Sequence, residues 1–262
     1  MNKKIFGDKK RVTCPVCNSG NIENIWKIPY KHLKEIVEIE KHKLQLISSF
    51  DYRTIYHFSI CNNCNSVFLD PYNSKVWTSN KFVDYVKKAK ERTEWKNYGW
   101  RIDRVLPFIQ HFGLIIDVAC GGGQNLLILK ERGIRWEREV AIDVSQPCIE
   151  YLKSLGYEAY CRKAEDSFPE IENGSADCVL FCEAFEHVES PFIAIKNMFN
   201  WLKRGGVLYL SAQAQEGDMF ITPGESIATN FEALKNLFDK FGMDIVFKLF
   251  TSGKWVVIGR KR

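Results

Sequence analysis

Apolar residues recur along this chain at two different spacings. Near the start, Leu33, Ile36, Val37, Leu44 and Ile47 stand at helical intervals and predict an amphipathic helix inserted into a small N-terminal module. From Tyr72 to Phe112, aromatics (Trp77, Phe82, Tyr85, Trp95, Tyr98, Trp100, Phe108) mix with basic residues without strand alternation, which reads as two linking helices. Beyond Phe112 the pattern changes. Short apolar runs begin at Leu114 (LIIDVA), Val140 (VAID), Tyr157 (YEAYC), Cys178 (CVLFC) and Val207 (VLYLSA), and helical stretches over 124–132, 147–155 and 192–202 lie between them. Such alternation is the pattern of βαβ units, which lay their strands parallel in one sheet. The last of these helices stops before Gly205-Gly206. Thr229 is placed to cap a further helix ending at Gly242, and the runs 245–250 and 255–259 meet at Ser252-Gly253 as an antiparallel hairpin. The expectation is an α/β fold: a mostly parallel, seven-stranded sheet ending in an antiparallel hairpin. It divides into a module over 1–72, linking or lid helices over 73–112 and the α/β domain over 113–262.

Composition adds limits. At 262 residues, 45% hydrophobic and 26% charged, the chain can bury one α/β core of about 180 residues plus an appended module. Lys and Arg number 37 against 32 Asp and Glu, a net charge of +5 spread along the chain, which makes nucleic acid an unlikely partner. No apolar run approaches the roughly 20 residues that span a bilayer, and no apolar segment follows the basic start, so a cytoplasmic location without a membrane partner is expected. Oligomeric state has no signature.

Nine cysteines are an odd number for a disulfide framework. Cys120, Cys148, Cys161, Cys178 and Cys182 fall in stretches that read as buried strands or element ends. The remaining four form two pairs, Cys14-Pro15-Val16-Cys17 and Cys61-Asn62-Asn63-Cys64. Thiolates at this spacing face one ion, and two such knuckles supply the tetrahedral ligands of a structural Zn2+. Four protein ligands leave no open position, so this ion would hold shape rather than perform chemistry.

The strongest constellation is Ile115-Ile116-Asp117-Val118-Ala119-Cys120-Gly121-Gly122-Gly123, a buried strand entering a glycine turn ahead of a helix. Glycine lets backbone approach a ligand closely, and a helix N-terminus offers free N–H groups. The dinucleotide fingerprint needs a third glycine where Leu126 stands, so a pyrophosphate site is disfavoured. Asp117 at the strand end would repel phosphate and hold an ammonium group.

The run from Asp117 to Gly123 resembles the first motif of class I S-adenosylmethionine-dependent methyltransferases, with Ala119 in place of the usual first glycine. Further motifs follow in the same order. Asp143 matches the acid that accepts hydrogen bonds from the ribose hydroxyls, and Ala164-Glu165-Asp166 falls where the family encloses adenine. The segment 177–183 resembles the fourth-strand motif and 202–208 the turn into the fifth strand. The resemblance covers roughly Trp100 to Arg262. It implies a Rossmann-like fold, S-adenosylmethionine as cofactor, and binding residues Asp117, Ala119, Gly121, Gly123, Asp143, Val144, Ala164, Glu165 and Cys182.

Glu183-Ala184-Phe185-Glu186-His187-Val188 follows the fourth of these strands, at the carboxyl edge where open α/β sheets bind ligands. His187 is the candidate base for an acceptor hydroxyl, with Glu186 or Glu183 orienting it or helping to bind the acceptor. The bland alternative has His187 packing at the start of a helix. The spacing also resembles quinone-precursor and small-RNA-end O-methyltransferases, which implies a possible Mg2+ at this triplet. In the resembling family, members that methylate base amines or glutamine amides carry Asn or Asp followed by two prolines and an aromatic at this site; Cys182-Glu183-Ala184-Phe185 does not, so the resemblance favours a hydroxyl, ahead of an amine or an activated carbon. The cysteine pairs resemble the N-terminal zinc module of bacterial sugar and natural-product methyltransferases, which implies a module that helps cover the acceptor pocket.

Three functions fit. The leading one is methylation of a small-molecule hydroxyl, as on a sugar, polysaccharide or secondary-metabolite intermediate. The second is RNA methylation, with Lys87, Lys88, Lys90, Arg92, Trp95 and Lys96 contacting phosphates and bases, although the same residues read equally as a solvated helix face. The third is a zinc-ribbon binding protein whose α/β domain is a non-catalytic scaffold.

Overall fold

A computed structural model describes residues 11–29, 55–70, 83–91, 95–215 and 226–262. The inserted helix expected around Leu33 to Ile47 lies outside them, as do Trp77 and Phe82. Three strands, β1 (Ile22–Pro29), β2 (Ile55–Cys61) and β3 (Val67–Asp70), precede two helices, α1 (Val83–Lys90) and α2 (Trp95–Val105). Alternation then begins with β4 (Leu114–Val118), α3 (Gln124–Glu131), β5 (Arg138–Asp143), α4 (Gln146–Ser154), β6 (Glu158–Cys161) and β7 (Ala176–Phe181). It continues through α5 (Pro191–Trp201), β8 (Leu202–Gln213), β9 (Ile227–Ala228), α6 (Phe231–Lys240), β10 (Met243–Thr251) and β11 (Lys254–Lys261).

The main sheet has seven strands in the order β10-β11-β8-β7-β4-β5-β6, parallel from β8 to β6 and antiparallel at the β8, β11 and β10 end. Its central strands β4 and β7 are buried along their whole length, as parallel strands covered on both faces must be. The pleat then sorts side chains to alternate faces. Ile116, Val118, Val140, Ile142, Val179 and Phe181 join one core with α5 and α6, while Ile115, Ala141, Cys178 and Leu180 join another with α2, α3 and α4.

The cysteine-bearing segments belong to the first of these cores. Cys14, Val16, Cys61, Cys64 and Phe68 share a cluster with Ile195, Leu234 and Phe238. β1, β2 and β3 form a second, antiparallel sheet whose last strand is β9, so a segment that follows β8 completes the sheet begun at the N-terminus. Phe68 pairs with Ile227, and the Leu69 N–H donates to Ser226 O at 2.8 Å.

Three local details differ from the sequence expectation. The cap of α6 is Asn230, whose Oδ1 accepts the Ala233 N–H at 2.8 Å, and not Thr229. The Thr229 hydroxyl is taken by Ser66 at 2.9 Å, a contact between segments far apart in sequence. β8 starts at Leu202, directly after α5, and runs through Gly205-Gly206. Gly205 has φ +79°, and a Cβ on Gly206 would lie 2.7 Å from Ala176 O, so the glycines let the strand pair closely with β7 where a break was expected. Cys161 is exposed, whereas Cys120, Cys148, Cys178 and Cys182 are buried as expected. Among the described residues, no helix is long and apolar enough to cross a membrane.

Candidate active site

The turn after β4 is built from left-handed backbone. Gly121 and Gly123 have φ +55° and +79°, and Ala119 has φ +54°. Alanine there carries roughly 1–2 kcal/mol of strain that glycine would not. A Cβ on Gly123 would lie 2.4 Å from the Leu152 side chain, so glycine is also required for α3 to pack on α4. Asp143, at the end of the adjacent parallel strand β5, straps this turn down: one carboxylate oxygen accepts the Gly121 N–H and the other the Ser145 N–H, both at 2.8 Å. Burial raises the Asp143 carboxyl, and these donated hydrogen bonds oppose the rise.

Asp117 is buried near the end of β4 and accepts two hydrogen bonds from Asn125 Nδ2, at 3.2 and 3.3 Å. Burial lifts its carboxyl from the usual 3.8 to about 7; Asn125 and the charge of Arg101 pull it down, and Asp143 adds to the rise. Cys182, at the end of β7, is a thiol pushed up to about 12 by burial, with the Arg101 charge opposing. Val144 is half-buried and its carbonyl accepts the Cys161 thiol at 3.4 Å. Ala164 is buried. The Glu165 carboxylate accepts the Ser190 N–H at 3.0 Å, and burial raises it. Ala119, Gly121, Gly123, Asp117 and Asp143 thus gather at the carboxyl end of β4 and β5, and Glu165 is tied to the start of α5.

Glu183 follows β7 with φ +55°, a conformation that costs a side-chain-bearing residue of order 1–3 kcal/mol and that tends to survive at functional sites. Its N–H is held by Ser211 Oγ at 2.7 Å. Its carboxylate lies between Arg101, at 3.4 Å, and Lys254, with which it forms an ion pair. Glu186 and His187 sit in a tight helical turn over Phe185–His187, Glu186 buried and His187 half-buried. The Glu186 carbonyl accepts the Ser226 N–H at 3.0 Å, and the His187 N–H donates to Ala184 O at 2.9 Å. The three side chains do not converge on one point in the way a divalent ion needs, since among the described residues the only such group is the cysteine cluster.

The motifs did not reveal Arg101, Asn125 and Lys254. Arg101 had a faint signal, a basic residue on an aromatic-rich helix ahead of the sheet. Lys254 follows the Ser252-Gly253 turn and pairs with Gln213 of β8, so the hairpin places it at the carboxyl edge. On α1, Lys87 pairs with Glu91 at 3.9 Å and Lys90 lies over the Tyr151 ring at 5.4 Å. The first contact lies along α1 and the second joins α1 to α4.

The four cysteines come together as the spacing predicts, with all Sγ atoms within 4.8 Å of one another. Cys14 and Cys64 are 3.7 Å apart and Cys17 and Cys61 3.5 Å. A tetrahedral ion with metal–sulfur bonds of about 2.3 Å puts its ligands about 3.8 Å apart, so the cluster fits Zn2+. The two knuckles share one backbone device. Asn18 and Asn65, each directly after a second cysteine, have φ +61° and +57° and donate their N–H to Cys14 O and Cys61 O. Asparagine tolerates this left-handed conformation better than most residues. A hydrogen bond from the Cys14 thiol draws the Cys64 thiol down.

Residues 116–210 match the protein family described as "Methyltransferase domain". Over 103 residues the chain is 32% identical to a ubiquinone biosynthesis O-methyltransferase of Xanthomonas oryzae pathovar oryzae, a match spanning 37% of this chain and 41% of that enzyme. The fold is similar to that of the cyclase SpnF, with a TM-score of 0.54 and 16% identity over 65% of this chain and 81% of that one. It is also similar to that of 1,6-didemethyltoxoflavin-N1-methyltransferase from Burkholderia thailandensis, whose structure holds S-adenosylhomocysteine; the TM-score is 0.53 and the identity 14%, over 69% of this chain and 86% of that one. The stretch that is similar to the methyltransferase-domain family, residues 116–210, thus carries the glycine turn and its paired strand-end acids, in a sheet whose fold is shared with these solved structures.

Proposed function

We propose that this protein transfers the methyl group of S-adenosylmethionine to a hydroxyl of a small molecule, such as a sugar or an intermediate of polysaccharide or secondary metabolism. One observation carries the reading: two buried carboxylates, Asp117 and Asp143, end adjacent parallel strands on either side of a left-handed glycine turn. That set suits a ligand with an ammonium group at one end and a ribose diol at the other, with Val144, Ala164, Glu165 and Cys182 around the nucleoside. The likeness to an O-methyltransferase supports oxygen as the acceptor atom. When bound, S-adenosylmethionine supplies an electrophilic methyl: the acceptor oxygen bonds to carbon as the sulfur–carbon bond breaks. His187 takes the hydroxyl proton in this reading, and Glu183 and Glu186 orient it or the acceptor. In the same reading Cys14, Cys17, Cys61 and Cys64, whose sulfurs lie within 4.8 Å of one another, would hold one structural Zn2+.

Calorimetric titration with S-adenosylhomocysteine tests the reading. Asp143→Ala should weaken binding by about 1.5–3 kcal/mol, the usual loss for hydrogen bonds to a charged group. Unchanged affinity would remove Asp143 from the site.

Asp117 adds a pH dependence. Its folded-state value, about 7, lies above the ordinary 3.8, so the ligand-free native protein keeps a proton that the unfolded chain has lost. Stability from this group is present below 3.8 and is lost as pH rises toward 7. Binding an ammonium reverses the preference, because it favours the ionised carboxylate. Affinity for S-adenosylhomocysteine should therefore rise with pH up to about 7, and binding at about pH 6 should release a proton. Titrations in two buffers of different ionisation enthalpy measure that release; none would show that Asp117 does not face the amino group.

A further inference from the structure

At the carboxyl edge of the main sheet, Arg101 of α2, Glu183 after β7 and Lys254 at the β10–β11 turn converge from three separate elements. The two oxygens of one carboxylate are divided between two cations: Oε1 faces Arg101 Nη2 at 3.4 Å and Oε2 faces the Lys254 ammonium. The cluster is partly shielded from water: Arg101 keeps 11% of its side-chain surface exposed and Glu183 and Lys254 keep 31% each. Arg101 is further fixed over the Tyr98 ring at 4.5 Å, and its buried Nε has no hydrogen-bond partner among the described residues. The position of Glu183 does not depend on the ion pairs, because Ser211 holds its backbone in the left-handed conformation.

Among the described residues the charges of this cluster do not balance. Arg101 and Lys254 carry two positive charges against the single negative charge of Glu183. Burial, and after it the charge of Arg101, lower the Lys254 ammonium to about 8. Asp117 also faces Arg101, but in the methyl-transfer reading its charge is matched by the incoming ammonium group. A sulfonium beside this cluster raises the positive excess further. A neutral alcohol would leave that excess in a partly dry site, whereas an anion would remove it.

We propose that Arg101, Lys254 and Glu183 form an anion-accepting subsite beside the point of methyl transfer, so that the acceptor is a hydroxy compound bearing a carboxylate or phosphate next to the methylated hydroxyl. The proposal rests on the methyl-transfer reading. Lys254 is the specificity residue, shared between Glu183 and the acceptor's anionic group. Arg101 sets the field in which both sit.

The test is calorimetric titration of the full chain saturated with S-adenosylhomocysteine. The probes are salicylate, which carries a hydroxyl beside a carboxylate, its neutral analogue salicylamide, and inorganic phosphate. Salicylate should bind at least about tenfold more tightly than salicylamide. Lys254→Met should abolish that preference and Lys254→Arg should restore it, with affinity for S-adenosylhomocysteine the same in all three proteins. Displacement of salicylate by phosphate would extend the subsite to phosphate esters, and no displacement would confine it to carboxylates. A merely structural ion pair would instead lower the melting temperature and the S-adenosylhomocysteine affinity of Lys254→Met, and that result overturns the proposal. So does equal binding of salicylate and salicylamide, binding of neither salicylate nor phosphate, or unchanged salicylate binding by Lys254→Met. If the unaltered protein does not bind S-adenosylhomocysteine, the methyl-transfer reading itself fails and this inference falls with it.

Discussion

Stripping the metal from the cysteine cluster is expected to unfold the N-terminal sheet and to weaken cofactor binding at a site built from other residues. A structural Zn2+ held by four thiolates contributes on the order of 10–16 kcal/mol to the fold that contains it, as much as the whole net stability of a typical domain. The effect should travel because the knuckles are bonded into the α/β domain. Pro15 O accepts the Phe192 N–H of α5 at 2.9 Å, Cys64 O accepts Asn230 Nδ2 at 3.1 Å, and Ser66 holds Thr229 at 2.9 Å. The path continues through Leu69 and Ser226 to the carbonyl of Glu186. Metal analysis should find one zinc per chain, and circular dichroism with parallel S-adenosylhomocysteine titrations before and after chelation should report both losses. A metal-free protein that is fully folded, with its cysteines oxidised in pairs, would sink the zinc assignment.

His187→Ala should lower turnover on the true acceptor by about 10²- to 10⁴-fold, the range that a positioned general base contributes, and leave S-adenosylhomocysteine affinity nearly unchanged. In the proposed reaction most of the acceleration would come from holding the acceptor in line with the sulfonium, so the variant would keep that part and lose proton transfer alone. A turn stabilised by the His187 N–H to Ala184 O bond carries the residue, and substituting its side chain leaves that backbone bond in place. Because Glu183, Glu186 and His187 are not gathered into a ligand group, a mild chelator that spares zinc should not affect turnover. Full activity of His187→Ala on the true acceptor would remove the residue from catalysis.

Much of this architecture was legible because parallel strands buried on both faces read as short, mostly apolar runs; β4, β7 and the last four residues of β5 are of that kind. The glycine turn and the acids that flank it were equally plain, because they are local in sequence. The same holds for the cysteine quartet, whose members occur as two close pairs. What escaped notice depends on contacts between distant segments. Thr229 has the chemistry of a cap, yet tertiary structure gives its hydroxyl to Ser66. Arg101 and Lys254 meet Glu183 only after the sheet has formed, and no spacing along the chain encodes that meeting. Two-residue β9 is too short for any periodicity to reveal.

That short strand has a consequence for synthesis. A ribosome delivers Phe68 long before Ile227, the partner that covers the outer edge of β3. Until the later segment emerges, β3 presents an unpaired edge to the cell, the kind of template on which nascent chains stick to one another. Early metal capture by the two knuckles would pin β2 and β3 in register during that interval. Cells starved of zinc should therefore accumulate this protein as aggregate before they accumulate it as inactive enzyme.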